Sequence, residues 1–209
     1  MKRIRLVIVG GVAGGATAAA RARRLSEDAE IILFERGPDV SFANCGLPYY
    51  IGGEIGNRDA LLVQTPQRLM ARYNLDVRVR SEVVSIDRQN RRVHVRDLAN
   101  DREYTESYDR LILSPGASPI RPALPGIDHP RIFTLRNLAD ADAIKSAVDA
   151  GSTSAIVVGG GYIGLEMAEN LRRRRLTVHL VEKLDQVMPP LDREMAVAVQ
   201  QALVRNSVD

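Results

Sequence analysis

Cysteine is nearly absent from this chain. The one thiol, Cys45, excludes an internal disulfide and any metal centre built on several cysteines. The three histidines, His94, His129 and His179, are scattered, so no metal site is expected. Tryptophan is missing and aromatic residues make up 4% of the chain, which leaves little for a base-stacking platform. Lysine occurs only at Lys2, Lys145 and Lys183, so the net charge of +3 is carried almost entirely by arginine. Two arginine clusters, Arg21, Arg23 and Arg24 and the run Arg172 to Arg175, fall toward the C-terminal ends of predicted helices, where cations complement the helix dipole. Most of these arginines read as solvated helix faces, and no nucleic-acid partner is expected. No apolar run is long enough to cross a bilayer. The start, Met1-Lys2-Arg3-Ile4-Arg5, leads straight into a strand and not into a secretory signal. No membrane partner is expected, and the cytoplasm is the expected location.

What is present is ordinary globular material: 45% hydrophobic and 26% charged residues, enough for one or two cores. Residues 4–9 form a short apolar run, followed by a glycine-rich turn, an alanine- and arginine-rich helix to about Leu25, and a second strand from Glu30 to Glu35. This is a β-α-β unit, whose right-handed crossover implies a parallel sheet. Period-two alternation at Asp76-Val-Arg-Val-Arg80, Val84–Ile86 and Val93–Val95, broken by polar turns, predicts an antiparallel meander over about 76–108. Leu111–Leu113 reads as a buried strand ending at Ser114-Pro115-Gly116, and the prolines at 115, 119, 122, 125 and 130 as a stiff connection. A helix is expected at Leu138–Val148. The strand–glycine–helix–strand cycle then repeats, with strands at Ala155–Val158 and Thr177–Glu182, before one more helical pattern. The expected fold class is α/β, with two Rossmann-like domains on parallel sheets. The first is placed at 1–119, with the antiparallel β-meander, and the second, incomplete, at 120–209.

The second glycine run, Gly159-Gly160-Gly161-Tyr162-Ile163-Gly164, fits G-x-G-x-x-G between a strand and a helix. Gly159 permits the tight turn, Gly161 lets the backbone approach a pyrophosphate, and Gly164 allows helix and strand to pack closely. The phosphates then face free amides at the helix N-terminus. Glu182, at the end of the next strand, is placed to bond a ribose hydroxyl. The first run, Gly10-Gly11-Val12-Ala13-Gly14-Gly15, keeps the outer glycines but has Val12 in the middle, and Glu35 stands as its ribose acid. Two dinucleotide sites suggest an electron relay between a flavin and a nicotinamide. Cys45 lies within the first unit, ten residues past Glu35, and a redox cysteine must touch the flavin. The first site is therefore expected to hold FAD and the second NADH or NADPH. Glu182 favours NADH, because a carboxylate repels a 2′-phosphate, although Lys183 beside it weakens that preference.

Ser41-Phe-Ala-Asn-Cys45-Gly-Leu-Pro-Tyr-Tyr50 reads as the opening of a helix, with Pro48 in the first turn, where its missing donor costs nothing. A thiol at such a place is expected to be reactive. Otherwise a lone cysteine is a small buried hydrophobe.

On Gly10 to Arg24, Ser41 to Tyr50 and Val158 to Glu166, the chain resembles the pyridine nucleotide-disulfide oxidoreductase family over its whole length, and most of all the coenzyme A-disulfide reductase branch. Members with a dithiol carry a second cysteine five positions after the first. Tyr50 stands there, which points to the single-cysteine branch. The resemblance implies that NADH oxidases and peroxidases carry a histidine where Ala13 stands here, which favours a disulfide reductase over them. It further implies that Thr17, Arg24, Ser41 and Asn44 line a coenzyme A site, and that Tyr162 covers the flavin until nicotinamide arrives. Glu166 would lie near the nicotinamide, and Gly116 belongs to the flavin site. The expected substrate is coenzyme A disulfide or a related small disulfide. The family pattern also implies a homodimer for the full-length protein and further segments beyond residue 209. The rival readings are an NADH oxidase or peroxidase and, in another class, a truncated nucleotide-binding fragment without turnover.

Overall fold

The computed structural model describes residues 3–209. Its elements run β1 (Arg5–Val9), α1 (Gly14–Leu25), β2 (Glu30–Phe34), α2 (Leu47–Gly52), α3 (Pro66–Tyr73), β3 (Asp76–Arg78), β4 (Ser81–Asp87), β5 (Arg92–Asp97) and β6 (Arg102–Ser107). They continue with β7 (Arg110–Leu113), α4 (Leu138–Asp149), β8 (Ser154–Val158), α5 (Tyr162–Arg173), β9 (Thr177–Val181) and α6 (Arg193–Arg205). The chain forms two compact units. Unit one holds the residues up to Ala43 together with Leu62–Ser118, and unit two holds Asn44–Leu61 together with Pro119–Asp209.

Unit one is built on a parallel sheet in the order β3-β2-β1-β7. Leu6 stands opposite Ile31 on one side and Arg110 on the other. The two central strands read as unbroken apolar runs because both their faces are covered. On one face Ile8, Ile31 and Leu33 pack with Ala19 of α1 and Leu69 of α3. On the other, Val7, Ile32 and Phe34 pack with Val93 and Val95 of β5. That second layer is the antiparallel meander β4-β5-β6, with a bulge between Val83 and Ser85.

The structure corrects the start of the expected meander. Asp76–Arg78 does not join the antiparallel strands; it pairs parallel with β2, with Asp76 opposite Ile32. Alternation reports which residues share a face and not which strand is the partner. Here Val77 and Val79 turn to the core under α1 and α3. Arg78, on the opposite side, lies over the rings of Phe34 and Tyr104 and bonds Asp76 and Glu106. Helix α3, absent from the sequence reading, has ordinary signals. Thr65 Oγ1 accepts from Arg68 N at 3.2 Å, and Pro66 fills the first turn.

Unit two has a parallel pair, β8 and β9, with Ala155 opposite Val178. Met167, Ala168 and Leu171 of α5 are buried, whereas the alternate strand residues Ile156, Val158 and Val181 are 69%, 82% and 52% exposed. Helix α4 starts with a capping box between Asn137 and Asp140. The segment carrying Cys45 belongs to this unit: a short 3-10 turn over Asn44–Gly46, then α2, which packs against α4 and α5 and ends at Gly53 with φ +86°.

Several arginines expected to be solvated are fasteners. Arg23 donates to the carbonyls of Tyr73 and Asn74, both at 2.8 Å, and Arg172 to those of Leu176 and Asn206 at 2.7 and 3.0 Å. Arg174 donates to the carbonyl of Ile51 and to Asp149. A helix C-terminus leaves carbonyls and chain reversals nearby, and the planar guanidinium spans them. No helix among the described residues is long and apolar enough to cross a membrane.

Candidate nucleotide turns and the segment of Cys45

At the first turn the chain leaves β1 through Gly10, whose φ is +94°. A β-carbon there would stand 1.9 Å from the carbonyl oxygen of Ser114, so only glycine fits. Ser114 is held by its amide on the carbonyl of Val9, which brings the end of β7, and with it the approach to Gly116, onto the turn. Gly15 closes the far side: its absent β-carbon would lie 1.7 Å from Gly10 O. Gly11 N donates to Glu35 Oε2 at 2.7 Å, while Oε1 of the same carboxylate accepts from Gly37 N at 2.7 Å. Ser41 N donates to Gly11 O at 3.0 Å. Unit one thus gathers Gly10 to Gly15, Glu35 and Ser41. Val12 is half-buried, and Ala13 and Gly14 are exposed at the start of α1.

The second turn repeats this construction. Gly159 has φ +107°, and a β-carbon on Gly164 would stand 1.9 Å from Gly159 O. Gly160 N donates to Glu182 Oε2 at 2.6 Å and Leu184 N to Oε1 at 2.9 Å. These amides, that of Leu184 first and then that of Gly160, hold the Glu182 carboxyl below the usual carboxylate range. Both glutamates therefore brace their own glycine turn. Each has further lone pairs that a ribose hydroxyl can share. Gly161 differs from Val12: nothing lies within 4 Å of the β-carbon it lacks. That open position, followed directly by the N-terminus of α5, suits an anion that must approach the backbone closely. Tyr162 and Ile163 begin α5 and are 66% and 58% exposed, and Glu166 lies one turn further on, half-buried.

Cys45 is exposed at the 3-10 turn before α2. Pro48 lies in the first turn of α2, as the sequence reading has it. The expected coenzyme A residues divide between the units: Thr17, Arg24 and Ser41 lie in unit one and Asn44 in unit two with Cys45. Thr17 and Arg24 are exposed on one face of α1, seven residues apart. Among the described residues no cluster of His, Cys, Asp and Glu is placed to hold a metal.

Sequence reasoning did not find the residues that hold α2. Tyr50 Oη donates to Asp142 Oδ1 at 3.1 Å, and Arg58 donates to Oδ2 at 2.8 Å. Burial, with Asp142 beside it, pushes the Tyr50 hydroxyl up from its ordinary value. Asn170 is fully buried against Gly52. A polar residue within the apolar stripe Met167, Ala168 and Leu171 was the available signal.

Comparison with known proteins agrees with this construction. A family profile described as pyridine nucleotide-disulphide oxidoreductase matches residues 4–209. A coenzyme A disulfide reductase of Staphylococcus haemolyticus is 43% identical over 192 residues, covering 91% of this chain and 43% of that protein. The crystal structure of reduced CoADR-RHD from Bacillus anthracis superposes with a TM-score of 0.96 at 53% identity, covering 100% of this chain and 38% of that one. An NAD-dependent persulfide reductase from A. fulgidus gives 0.93 at 36% identity, over 99% of this chain and 38% of its own. The chain thus spans less than half the length of these relatives. On the match across residues 4–209, this chain belongs to the pyridine nucleotide-disulphide oxidoreductase family.

Proposed function

We propose that this chain is the FAD- and NAD(P)H-binding portion of an oxidoreductase that reduces a small disulfide, most specifically coenzyme A disulfide, through Cys45. The observation that carries the reading is the pair of matching glycine turns joined to a single exposed cysteine. In this reading 1–119 carries the flavin turn, with Asn44–Leu61 folded into unit two, and 120–209 carries the nicotinamide turn. Gly10, Gly11, Val12, Ala13, Gly14, Gly15, Glu35 and Gly116 hold FAD. Gly159, Gly161, Tyr162, Ile163, Gly164, Glu166 and Glu182 hold NADH or NADPH. Thr17, Arg24, Ser41 and Asn44 bind the substrate. When bound, the two cofactors would supply the pair of electrons that reduces the disulfide formed at Cys45, with hydride transfer confined to the nicotinamide and the flavin.

The chain's own chemistry is thiol–disulfide exchange. The Cys45 thiolate attacks one sulfur of coenzyme A disulfide, a Cys45–coenzyme A disulfide forms, and one coenzyme A thiolate leaves. Two electrons and a proton then release the second coenzyme A as thiol and restore the Cys45 thiolate. Tyr50, tied to Asp142, offers no second thiol at the position where dithiol relatives have one, so the mixed disulfide has no internal resolving partner. The exposure of Arg24 suits a phosphate-bearing substrate, whose oxygens match the guanidinium fork. The names of two relatives, a coenzyme A disulfide reductase and an NAD-dependent persulfide reductase, support a sulfur substrate. Cytoplasmic location and a homodimeric full-length protein, with neither nucleic acid nor membrane as partner, complete the proposal on the strength of the family resemblance.

Intact mass spectrometry after incubation with coenzyme A disulfide tests it. The expected result is one coenzyme A bound per chain, released by a thiol, and none on Cys45→Ser, while both proteins purify with the absorbance of bound flavin. A Cys45→Ser chain that still takes up coenzyme A would sink the role of Cys45. A colourless product with no affinity for nucleotide would favour the non-catalytic fragment.

A further inference from the structure

Asn170 is costly where it stands. It is fully buried among Met167, Ala168 and Leu171 of α5. Its Nδ2 donates to Glu166 O at 2.8 Å, one turn back, but Oδ1 has no hydrogen-bond donor among the described residues. A buried amide oxygen without a donor is destabilising, and a purely apolar side chain of similar shape would pack the same stripe without that cost. Oδ1 faces Gly52, the last residue of α2. A β-carbon on Gly52 would stand 2.1 Å from Oδ1 and 2.8 Å from Cγ, so Asn170 and any larger residue at 52 exclude one another. Around this contact Arg174 donates to Ile51 O at 3.2 Å and to Asp149 Oδ1 at 2.6 Å. Helix α2 has six residues, too few to hold its own shape, so its place is set by what it docks against. It docks on α5, whose N-cap is Gly161, in the second glycine turn.

We propose that Asn170 is a positioning residue for Cys45: its amide keys Gly52, and with it the helix that follows the thiol, onto the helix that springs from the second nucleotide turn. The thiol segment and the nucleotide turn are then referenced to one rigid element. The functional meaning rests on the reading of Cys45 as the redox thiol, but the contact itself does not.

Cys45 is the chain's only thiol, so its alkylation by iodoacetamide, followed by mass spectrometry, reports on that segment alone. The full chain is compared with Gly52→Ala, Asn170→Ala and the double variant, without added nucleotide. Gly52→Ala should raise the alkylation rate about threefold or more, the scale on which directly coupled neighbours interact. Asn170→Ala, which removes atoms and adds none, should fold and give a smaller rise. The double variant should react more slowly than Gly52→Ala, because the space left at 170 receives the new methyl group. If each variant's alkylation rate rises only in step with a fall in its denaturation midpoint, the effect is one of general stability and the proposal is overturned. Gly52→Ala reacting at the wild-type rate, or a double variant faster than Gly52→Ala, overturns the proposal. If Gly52→Ala cannot be obtained folded, Asn170→Ala reacting at the wild-type rate overturns it. None of these rates needs a bound cofactor, so a chain that binds no nucleotide would sink the proposed function and leave this result standing.

Discussion

At the first glycine turn the carbonyl of Gly10 occupies the space a side chain on Gly15 would need, and at the second the carbonyl of Gly159 does the same to Gly164. Both turns open at positive φ, and both give their second amide to the glutamate that follows the neighbouring strand. They part in two places. Gly10 is also pressed by Ser114, whereas Gly159 has open space; and the third position is Val12 in one and Gly161 in the other. The shared constraints are therefore those of the strand-to-helix crossover itself. The third position lies outside those constraints, and there the two turns differ, with a half-buried valine in one and open space in the other.

Four measurements bear on that division. The largest effect is expected from Gly15→Ala and Gly164→Ala, whose methyl groups would stand 1.7 and 1.9 Å from a backbone carbonyl. Each should cost about 3 kcal/mol or more, read as a fall in the denaturation midpoint or as insoluble product. A soluble, wild-type-like Gly164→Ala would end the claim that the turns share one crossover. Next comes Gly10→Ala, which meets both the unfavourable φ and the Ser114 carbonyl. It should destabilise more than Gly159→Ala, where the left-handed backbone alone costs about 1–2 kcal/mol. Equal costs would mean that Ser114 yields freely.

Gly161→Val copies the first turn into the second. Its backbone is extended, with φ −82°, so stability should stay within about 0.5 kcal/mol. Nicotinamide nucleotide affinity, read by fluorescence titration, should fall about tenfold. A valine tolerated at full affinity would erase the distinction between the two third positions. The smallest effect concerns acid. Glu182 has a lowered value in the fold, so its hold on Gly160 is complete above the ordinary carboxylate range and is lost as pH falls through the lowered value. Exchange of the Gly160 amide should quicken over that interval, and Glu182→Gln should remove the pH dependence. A Gly160 amide indifferent to pH in the parent would detach the carboxylate from the turn.

Much of this was readable in the sequence because the β-α-β units are local. Strand, glycines, helix and acid lie within one short window, and the structure places α1, β2, α5 and β9 within a residue or so of expectation. What escaped depends on residues distant in sequence. Alternation in Asp76-Val77-Arg78 is equally consistent with either pairing, and only the parallel register with β2 decides it. Arg23 and Arg174 look like helix-end charges until the carbonyls of Tyr73 and Ile51 come to meet them. Asn170 interrupts an apolar stripe, but what it meets is hidden for the same reason, since its neighbour Gly52 lies far along the chain.

The chain leaves unit one after Ala43, returns after Leu61 and leaves again after Ser118. During synthesis, then, the ribosome delivers the short helix behind Cys45 well before the two helices it docks on. A single helical turn or two cannot persist alone in water. Until Arg174 has emerged, the thiol rides on an untethered nascent segment. The order of translation thus leaves a window in which that helix has nothing to dock on. Severing the gene at the proline-rich connection would make that window permanent.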